Sequence, residues 1–299
     1  MGTNTVYLYV MTSAFFWGAN FVLAGPILVD LPPLWAAAVR FVLGAALMLA
    51  LAGMRRENML GLLRRHALAY LLLGVVGIAA FNLLFFNALQ STSADNAALI
   101  MATNPLLTTL LAGAFLGERP GARHLLALPL ALAGVAVVIA QGDASKLFSL
   151  HVAPGDLLML AANLAWAMYN VLGRRFMPKG DPVGNTAWVM TAGALVLLCV
   201  ALFSDTHMHA LGLKAGTAML VMTVGGTVLA YLFWGIGIAH LGASQTAIFL
   251  NLVPVSAMLV SGMTGVPPTY AQLAGGLLVL GGVTVSMLPG RRPSARGAG

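Results

Sequence analysis

Ten stretches of the chain are apolar over the length that a membrane-spanning helix requires, and this pattern limits the fold more than any other feature. A bilayer core of about 30 Å takes roughly 20 apolar residues of helix. Nine of the stretches carry no Lys, Arg, Asp or Glu beyond the first two residues of an end, and the exception contains Arg40. The stretches cover residues 6–25, 33–53, 68–89, 97–117, 122–140, 156–173, 183–203, 217–239, 245–263 and 271–289.

The composition of the chain excludes a soluble protein. Its 299 residues are 60% hydrophobic and 8% charged, which is too little charge to cover the surface of a soluble domain of that size. The connections between the apolar stretches leave no room for a separate soluble domain. We therefore predict an all-α membrane protein, with ten transmembrane helices embedded in the lipid bilayer.

The basic residues are unevenly distributed over the predicted connections. With the N-terminus inside, twelve Lys and Arg residues lie on the inner side and only Lys146 and Lys214 lie outside. Basic residues accumulate on the cytoplasmic side of membrane proteins, so both termini are predicted to be cytoplasmic. This rule accounts for the net charge of +7, and we expect no nucleic-acid partner. The inner residues are Arg55, Arg56, Arg64, Arg65, Arg119, Arg123, Arg174, Arg175, Lys179, Arg291, Arg292 and Arg296.

The second half of the chain repeats the first at a constant spacing of 149 residues. Each repeat holds five helices, and because five is odd the second copy must enter the membrane from the opposite side. We predict two inverted repeats, over residues 1–145 and 150–290, and a basic cytoplasmic tail over 291–299. The matched pairs include Trp17 and Trp166, Pro33 and Pro182, Gly44 and Gly193, Gly77 and Gly226, Pro105 and Pro254, and Gly113 and Gly262.

Inverted repeats give one chain two shapes of similar energy, which alternately open a central site to either face. Pro105 and Pro254 lie inside the fourth and ninth stretches, where proline removes a backbone hydrogen bond and clashes with the carbonyl four residues back. The carbonyls of Met101 and Leu250 are then free for a side chain, water or substrate. We predict hinges at both prolines, with static kinks as the alternative.

Several motifs resemble one family of transporters. They are FFWGANFV (15–22), Arg40-Phe41, NPLLTTLLAGAFLGERP (104–120), LAWAMYNVLGRR (164–175), VPVSAMLVSGMTGVPP (253–268) and LAGGLLVLGGV (273–283). Together they resemble the drug/metabolite transporter superfamily, specifically the EamA-type exporters, and among these the YddG-type exporters of amino acids. One departure is that GERP in the first repeat becomes GVPP in the second, where Val266 replaces a Glu that we interpret as a structural feature of a helix end.

The resemblance implies a basket of helices around a central cavity, lined by the first, third, fourth, sixth, eighth and ninth helices. The residues agree with this arrangement, because polar groups facing lipid would be costly unless bonded, and Trp17 and Asn20 share one helix face. The alternative for each residue is interhelical packing or amide bonding. The predicted lining comprises Trp17, Asn20, Asn82, Phe85, Thr103, Asn163, Trp166, Tyr169, Tyr231, Trp234, Gln245 and Phe249.

Arg40 lies about seven residues into the second stretch from its outer end. A charge at that depth is costly and functional by default, whereas the peripheral position that the resemblance implies for this helix favours a structural role. No Asp or Glu lies at mid-span. This argues against a buried acidic site for protons or sodium, and it leaves the energy coupling open.

The function favoured by these features is transport of small solutes. A membrane-embedded enzyme, the alternative of another class, would need a nucleophile with a base or clustered metal ligands at mid-depth, and the chain has no HExxH, GxSxG or paired intramembrane aspartates. We expect no cofactor and no metal. Neutral or zwitterionic solutes fit best, most of all amino acids, with drug-like compounds or other metabolites as alternatives. The expected location is the bacterial inner membrane.

The distribution of basic residues predicts the orientation of the chain. Reporters fused after Arg175 and at the C-terminus should report the cytoplasm, and a reporter at Lys146 should report the outside. In a Cys199→Ala background, an impermeant thiol reagent added to intact cells should not label a cysteine placed at Arg292. Labelling at that position would contradict the inverted arrangement.

Overall fold

The computed structural model describes residues 2–55, 58–92, 94–140, 143, 145 and 153–288. These residues form helices and no strand, as the sequence predicts. The predicted tail over 291–299 and Lys146 lie outside the described residues.

Among the described residues, eight helices are long and apolar enough to cross a bilayer. We number ten spans in chain order. The eight helices are the first, second, third, fifth, seventh, eighth, ninth and tenth spans, and the fourth and sixth are described in the next paragraph. They comprise Thr3–Asp30, Pro33–Met54, Met59–Ala88, Ala122–Ala140, Pro182–Leu202, Leu213–Leu241, Ala243–Met263 and Tyr270–Met287.

The other two predicted spans are also helical. The fourth consists of two helices, Ala94–Ala102 and Asn104–Leu116, which meet at Thr103. The sixth is the single helix Pro154–Phe176, with 23 residues. Each of the ten predicted segments is therefore helical.

The third span begins earlier than the apolar pattern indicates. Its helix starts at Met59, where the Asn58 side chain accepts a hydrogen bond from the Gly61 amide at 2.8 Å, and it bends at His66 (φ −131°, ψ 17°). The predicted start at residue 68 lies directly after this bend, so the apolar part of the span begins where the sequence predicts it. The helical residues before the bend lie outside the apolar pattern.

The spans pack in pairs that the internal repeat relates to one another. The fifth packs along the tenth, and the second along the seventh. The first packs against the eighth and the ninth, and the sixth packs correspondingly against the third and the fourth. Exchanging each span for its equivalent in the other repeat reproduces these contacts, as inverted repeats require.

Small residues bring the fifth and tenth spans close together. A Cβ atom on Gly134 would lie 2.6 Å from the backbone nitrogen of Val279, and one on Gly275 would lie 2.7 Å from the carbonyl oxygen of Gly134. Neither position has room for a side chain. Since lipid tails are as apolar as the helices, this close packing supplies much of the attraction between the two spans.

The third and eighth spans share an irregularity of the backbone. A π-helical segment covers Val75–Ala80 in the third span and Met222–Leu229 in the eighth. Gly77 and Gly226, a pair matched by the repeat, lie inside these segments. Single π-helical turns are frequent at functional sites, so the matched segments direct attention to the residues packed against them.

Both predicted hinge prolines lie beside an interruption of a helix. Pro105 is the second residue of the helix Asn104–Leu116. Pro254 lies in the first turn of Leu252–Met263, which directly follows a 3-10 turn over Ile248–Asn251. Proline is tolerated in a first helical turn because its missing N–H would have no partner there.

Side chains of the sixth span hold the interruption of the fourth. Asn163 donates from Nδ2 to the carbonyl of Ile100 at 2.8 Å and to Oγ1 of Thr103 at 3.0 Å. The carbonyl that receives this side chain precedes by one residue the Met101 carbonyl expected from the sequence. Motion at either proline stays a prediction.

The chain is expected to alternate between two conformations, each open to one membrane face. Because the repeats are inverted, we expect Pro105→Ala to favour one of these conformations and Pro254→Ala to favour the other. Alanine restores a backbone N–H and allows the helix to continue through the interruption, where that N–H would gain the partner it lacks in a first turn; one such hydrogen bond is worth about 1 kcal/mol. A difference of about 1.4 kcal/mol shifts a two-state equilibrium tenfold. Labelling of single cysteines from each membrane face measures the shift. Wild-type labelling in both variants, with transport intact, would make the prolines static kinks.

Candidate functional site

Four aromatic rings from the first, sixth and eighth spans meet where the two repeats face each other. Trp17 has its ring centroid 5.2 Å from that of Trp166, 5.7 Å from Tyr231 and 4.9 Å from Trp234. The Trp166 and Tyr231 rings are 5.7 Å apart and nearly perpendicular. Such edge-to-face pairs are favourable beyond the area they bury. We call these four residues the aromatic cluster, and all four belong to the predicted lining.

Further rings extend the aromatic cluster. Phe81 lies 5.1 Å from Trp166 and Phe41 lies 5.6 Å from Tyr231, measured between centroids. Neither was predicted, although Phe41 stands in the quoted Arg40-Phe41 motif and Phe81 stands directly before Asn82. Predicted Phe85 packs on Phe81 at 5.7 Å.

The matched glycines of the π-helical segments each receive a side chain from the opposite repeat. A Cβ atom on Gly226 would lie 2.1 Å from Oδ1 of Asn20, and one on Gly77 would lie 2.1 Å from the ring of Tyr169. Asn20 and Tyr169 are themselves related by the spacing of 149 residues. Any larger residue at either glycine would displace them, so backbone and side chain are fitted together on both sides of the aromatic cluster.

The hydrogen bonding of the aromatic cluster is not symmetric. Trp17 donates from Nε1 to the carbonyl of Gly226 at 3.0 Å. Its counterpart Trp166 has a buried Nε1 without a partner among the described residues, and the same is true of Oδ1 of Asn20. Buried polar atoms without partners are rare, because each costs about 1–3 kcal/mol. These two atoms are therefore buried polar groups whose hydrogen bonding the described residues leave unsatisfied.

Polar groups also lie beside the aromatic cluster towards the outer end of the spans. Arg40 donates from Nη2 to Oδ1 of Asn82 at 3.3 Å, and Asn82 donates to the carbonyl of Ile78 at 2.7 Å. The Tyr231 hydroxyl also lies beside Asn82. The guanidinium thus points towards the buried Asn82.

Other predicted lining residues make bonds between helices. Asn163 and Thr103 hold the interruption of the fourth span, and Asn104 donates to Oδ1 of Asn163 at 2.6 Å. Asn170 accepts a hydrogen bond from Nε1 of Trp234 at 2.8 Å. For Asn163 these contacts correspond to the amide-bonding alternative.

The structure places Gln245 and Phe249 away from the aromatic cluster, near the predicted cytoplasmic end. Gln245 donates to the Tyr7 hydroxyl at 2.9 Å, and the Tyr7 ring stacks on buried Phe249 with centroids 5.8 Å apart. Gln245 also lines a cavity of about 650 Å³ between the ends of several spans. The layer formed by Tyr7, Gln245 and Phe249 lies between this cavity and the interior.

Glu118 joins the two repeats at the same end. Its carboxylate accepts hydrogen bonds from the backbone amides of Ala243 and Ser244 at 3.0 and 3.1 Å and from the Ser244 hydroxyl at 2.7 Å. The carboxylate therefore caps the start of the ninth span, where the helix dipole favours negative charge. Val266, which stands in the GVPP motif where Glu118 stands in GERP, has no acceptor in its side chain and is 64% exposed.

The comparison with known proteins identifies the family of this architecture. Residues 4–140 and 153–288 each match the EamA-like transporter family. The chain belongs to that family. The predicted resemblance to EamA-type transporters is thereby confirmed, and the protein is a multi-pass membrane protein of a transporter family whose fold is built from two helical repeats.

Relatives and a solved structure share nearly the whole chain. The uncharacterized transporter YyaM of Bacillus subtilis (strain 168) is 39% identical over 280 residues, which are 93% of this chain and 92% of its own. The aromatic amino acid exporter YddG of Ancylobacter novellus is 26% identical over 98% of this chain and 100% of its own. A solved crystal structure superposes with a TM-score of 0.80 over 96% of this chain and 97% of its own, at 23% identity, which shows the shared fold.

A third relative has a more specific name. The probable terminal-alkyne amino-acid exporter of Streptantibioticus cattleyicolor is 30% identical over 229 residues, which are 75% of this chain and 73% of its own.

We expect Glu118→Gln to loosen the contact between the repeats at the predicted cytoplasmic end. A neutral amide accepts from the backbone more weakly than a carboxylate, and bonds to charged groups contribute roughly 1.5–3 kcal/mol. A cysteine at Ser286, which lines the cavity beside Gln245, should then be labelled several-fold faster in inside-out vesicles. Val266→Ala is the matched control. Equal labelling in both variants would show that the cap does not hold the face closed.

Proposed function

We propose that this EamA-family transporter exports small neutral or zwitterionic metabolites, and that amino acids are its main substrates. The observation that carries the proposal is the aromatic cluster together with Asn20 beside it: the indole N–H of Trp166 and the amide oxygen of Asn20 have no partner among the described residues. An amino acid offers the matching groups, since its ammonium donates hydrogen bonds and its carboxylate accepts them.

The chemistry of the rings suits such a solute. The faces of Trp17 and Trp166 attract an ammonium group by cation–π interaction, worth about 2 kcal/mol when water is excluded. The same rings offer apolar surface to a side chain of the solute. A fully charged solute fits less well, because the described residues bring a single cationic side chain, Arg40, to this region.

The inverted repeats supply the route across the membrane. The first and sixth spans contribute equivalent tryptophans to the aromatic cluster, and equivalent helices pack around each of them. Exchanging the conformations of the repeats opens the same site to the other face without dismantling it. On this proposal the solute enters through the cavity lined by Gln245 and leaves beside Asn82.

The relatives support the same substrate class. YddG of Ancylobacter novellus and the relative from Streptantibioticus cattleyicolor are named as exporters of amino acids. Their names describe those proteins, and the present proposal extends the class to this chain. The bacterial inner membrane, with both termini cytoplasmic, is the corresponding location.

We expect Trp166→Phe to raise the KM for amino-acid efflux from loaded liposomes about fivefold. The change removes the indole N–H but keeps an aromatic ring, and one lost hydrogen bond is worth about 1 kcal/mol. The hydrogen bonding of the folded protein should be unchanged, because the Nε1 of Trp166 has no partner among the described residues. Any loss of thermal stability should therefore come only from the smaller ring in the packed cluster. Alanine in place of Trp17, Trp166 or Tyr231 should impair transport more than it lowers stability.

The matched control is Trp188→Phe in the seventh span. Trp188 loses an indole bond to the carbonyl of Met59, 3.0 Å in length and remote from the aromatic cluster, so its KM should stay at the wild-type value. Equal effects of the two changes would contradict the assignment of the site. Wild-type efflux of drug-like cations but of no amino acid would contradict the substrate class.

A further inference from the structure

Arg40 carries a charge at a depth where few charges are retained. It is the eighth residue of Pro33–Met54, so its Cα lies about 10 Å along the helix from the outer end. The residue is half-buried, its Nε is shielded from solvent and its guanidinium carbon lies 4.7 Å from the centre of the Phe41 ring. Removing a guanidinium from water costs several kcal/mol unless other groups replace the water.

The described residues satisfy only part of the hydrogen-bonding capacity of the Arg40 guanidinium. Asn82 accepts one hydrogen bond from Nη2 at 3.3 Å, and Nε has no partner among the described residues. Among the described residues, no acidic side chain forms an ion pair with Arg40. The ion pair that they do form joins Arg55 and Asp181. In the described part of the chain, the cation therefore has no counter-charge.

A small apolar cavity lies beside the stem of Arg40. It has a volume of about 30 Å³ and is lined by Arg40 and by apolar residues of the first, second, third and eighth spans, among them Ala37, Phe86 and Met222. Because a carboxylate is not stable against apolar walls, it would have to reach the guanidinium from the side of Asn82. The remainder of a solute would have to lie elsewhere.

The neighbours of Asn82 indicate where the remainder would lie. Asn82 is buried and has the Tyr231 hydroxyl beside it, and the Tyr231 ring is 5.7 Å from both Trp17 and Trp166. A chain of contacts thus leads from the guanidinium to the aromatic cluster. A solute whose carboxylate lies between Arg40 and the indole N–H of Trp166 can place its ammonium and its side chain against the rings.

We propose that Arg40 binds the carboxylate of the transported solute and that Asn82 positions its guanidinium. This inference rests on the proposed function and names the specificity-determining contact of the same site. Arginine suits the role because its planar fork holds a carboxylate with two parallel hydrogen bonds. The transported class is therefore α-amino acids with a free carboxylate, and their amides and amines are excluded.

The test compares two probes that differ only at the carboxyl group. L-phenylalanine and L-phenylalaninamide are titrated calorimetrically into the purified full-length protein in detergent. The wild type should bind the acid at least about tenfold more tightly than the amide. Arg40→Gln should bind both with similar affinity, near that of the wild type for the amide. Arg40→Lys keeps the charge but not the fork, and should retain part of the preference.

The possible binding results distinguish a failure of the Arg40 role from a failure of the proposed function. A wild type that binds acid and amide equally, or an Arg40→Gln variant that keeps the tenfold preference, overturns the role of Arg40 and leaves the proposed function standing. A wild type that binds neither these probes nor any member of an amino-acid panel overturns the proposed function and this inference together. If Arg40→Gln fails to fold, Arg40→Lys decides, since an unchanged preference in that variant would refute the paired hydrogen bonds.

Discussion

The constraint on which the whole structure depends is that lipid offers no partner to a backbone amide or carbonyl. Helices satisfy these groups internally, and irregular backbone survives only where protein surrounds it. The chain is irregular at four matched places, the π-helical segments Val75–Ala80 and Met222–Leu229 and the interruptions beside Pro105 and Pro254. The π-helical segments pack against the residues around the aromatic cluster, and Asn163 bonds the Ile100 carbonyl beside the interruption of the fourth span. The departures from regular helix thus lie in the interior, where a polar solute would also find partners.

The two repeats share a scaffold and differ in chemistry. Equivalent spans pack alike, and the equivalent tryptophans meet at the centre. Yet Trp17 is bonded to a backbone carbonyl whereas Trp166 is not, and Glu118 caps a helix whereas Val266 cannot. Symmetry in the scaffold makes two conformations close in energy, so small local differences are enough to set their balance. Each difference of 1.4 kcal/mol changes that balance tenfold.

Much of the candidate site follows from sequence because its signals are local. The four residues of the aromatic cluster were all predicted, since aromatic and amide side chains in a lipid-embedded stretch must face protein or a cavity. Phe41 and Phe81 were missed because an apolar ring looks the same in sequence whether it faces lipid, another helix or a solute. Gln245 was assigned to the central lining, and the structure places it in a layer nearer the predicted cytoplasmic end. Depth along a helix is harder to predict than the face on which a residue lies.

By itself the sequence determined the membrane class, the helical fold, the inverted repeat and the family. These depend on hydropathy, on a fixed spacing and on an odd number of helices, all of which can be counted along one chain. Only the tertiary structure decided which polar residues bond other helices, as Asn163 and Asn170 do, and which are left with unpaired groups, as Asn20, Arg40 and Trp166 are. The physical reason is that a hydrogen bond between spans joins residues tens to hundreds of positions apart, and its existence depends on ångström-scale packing that no local pattern encodes.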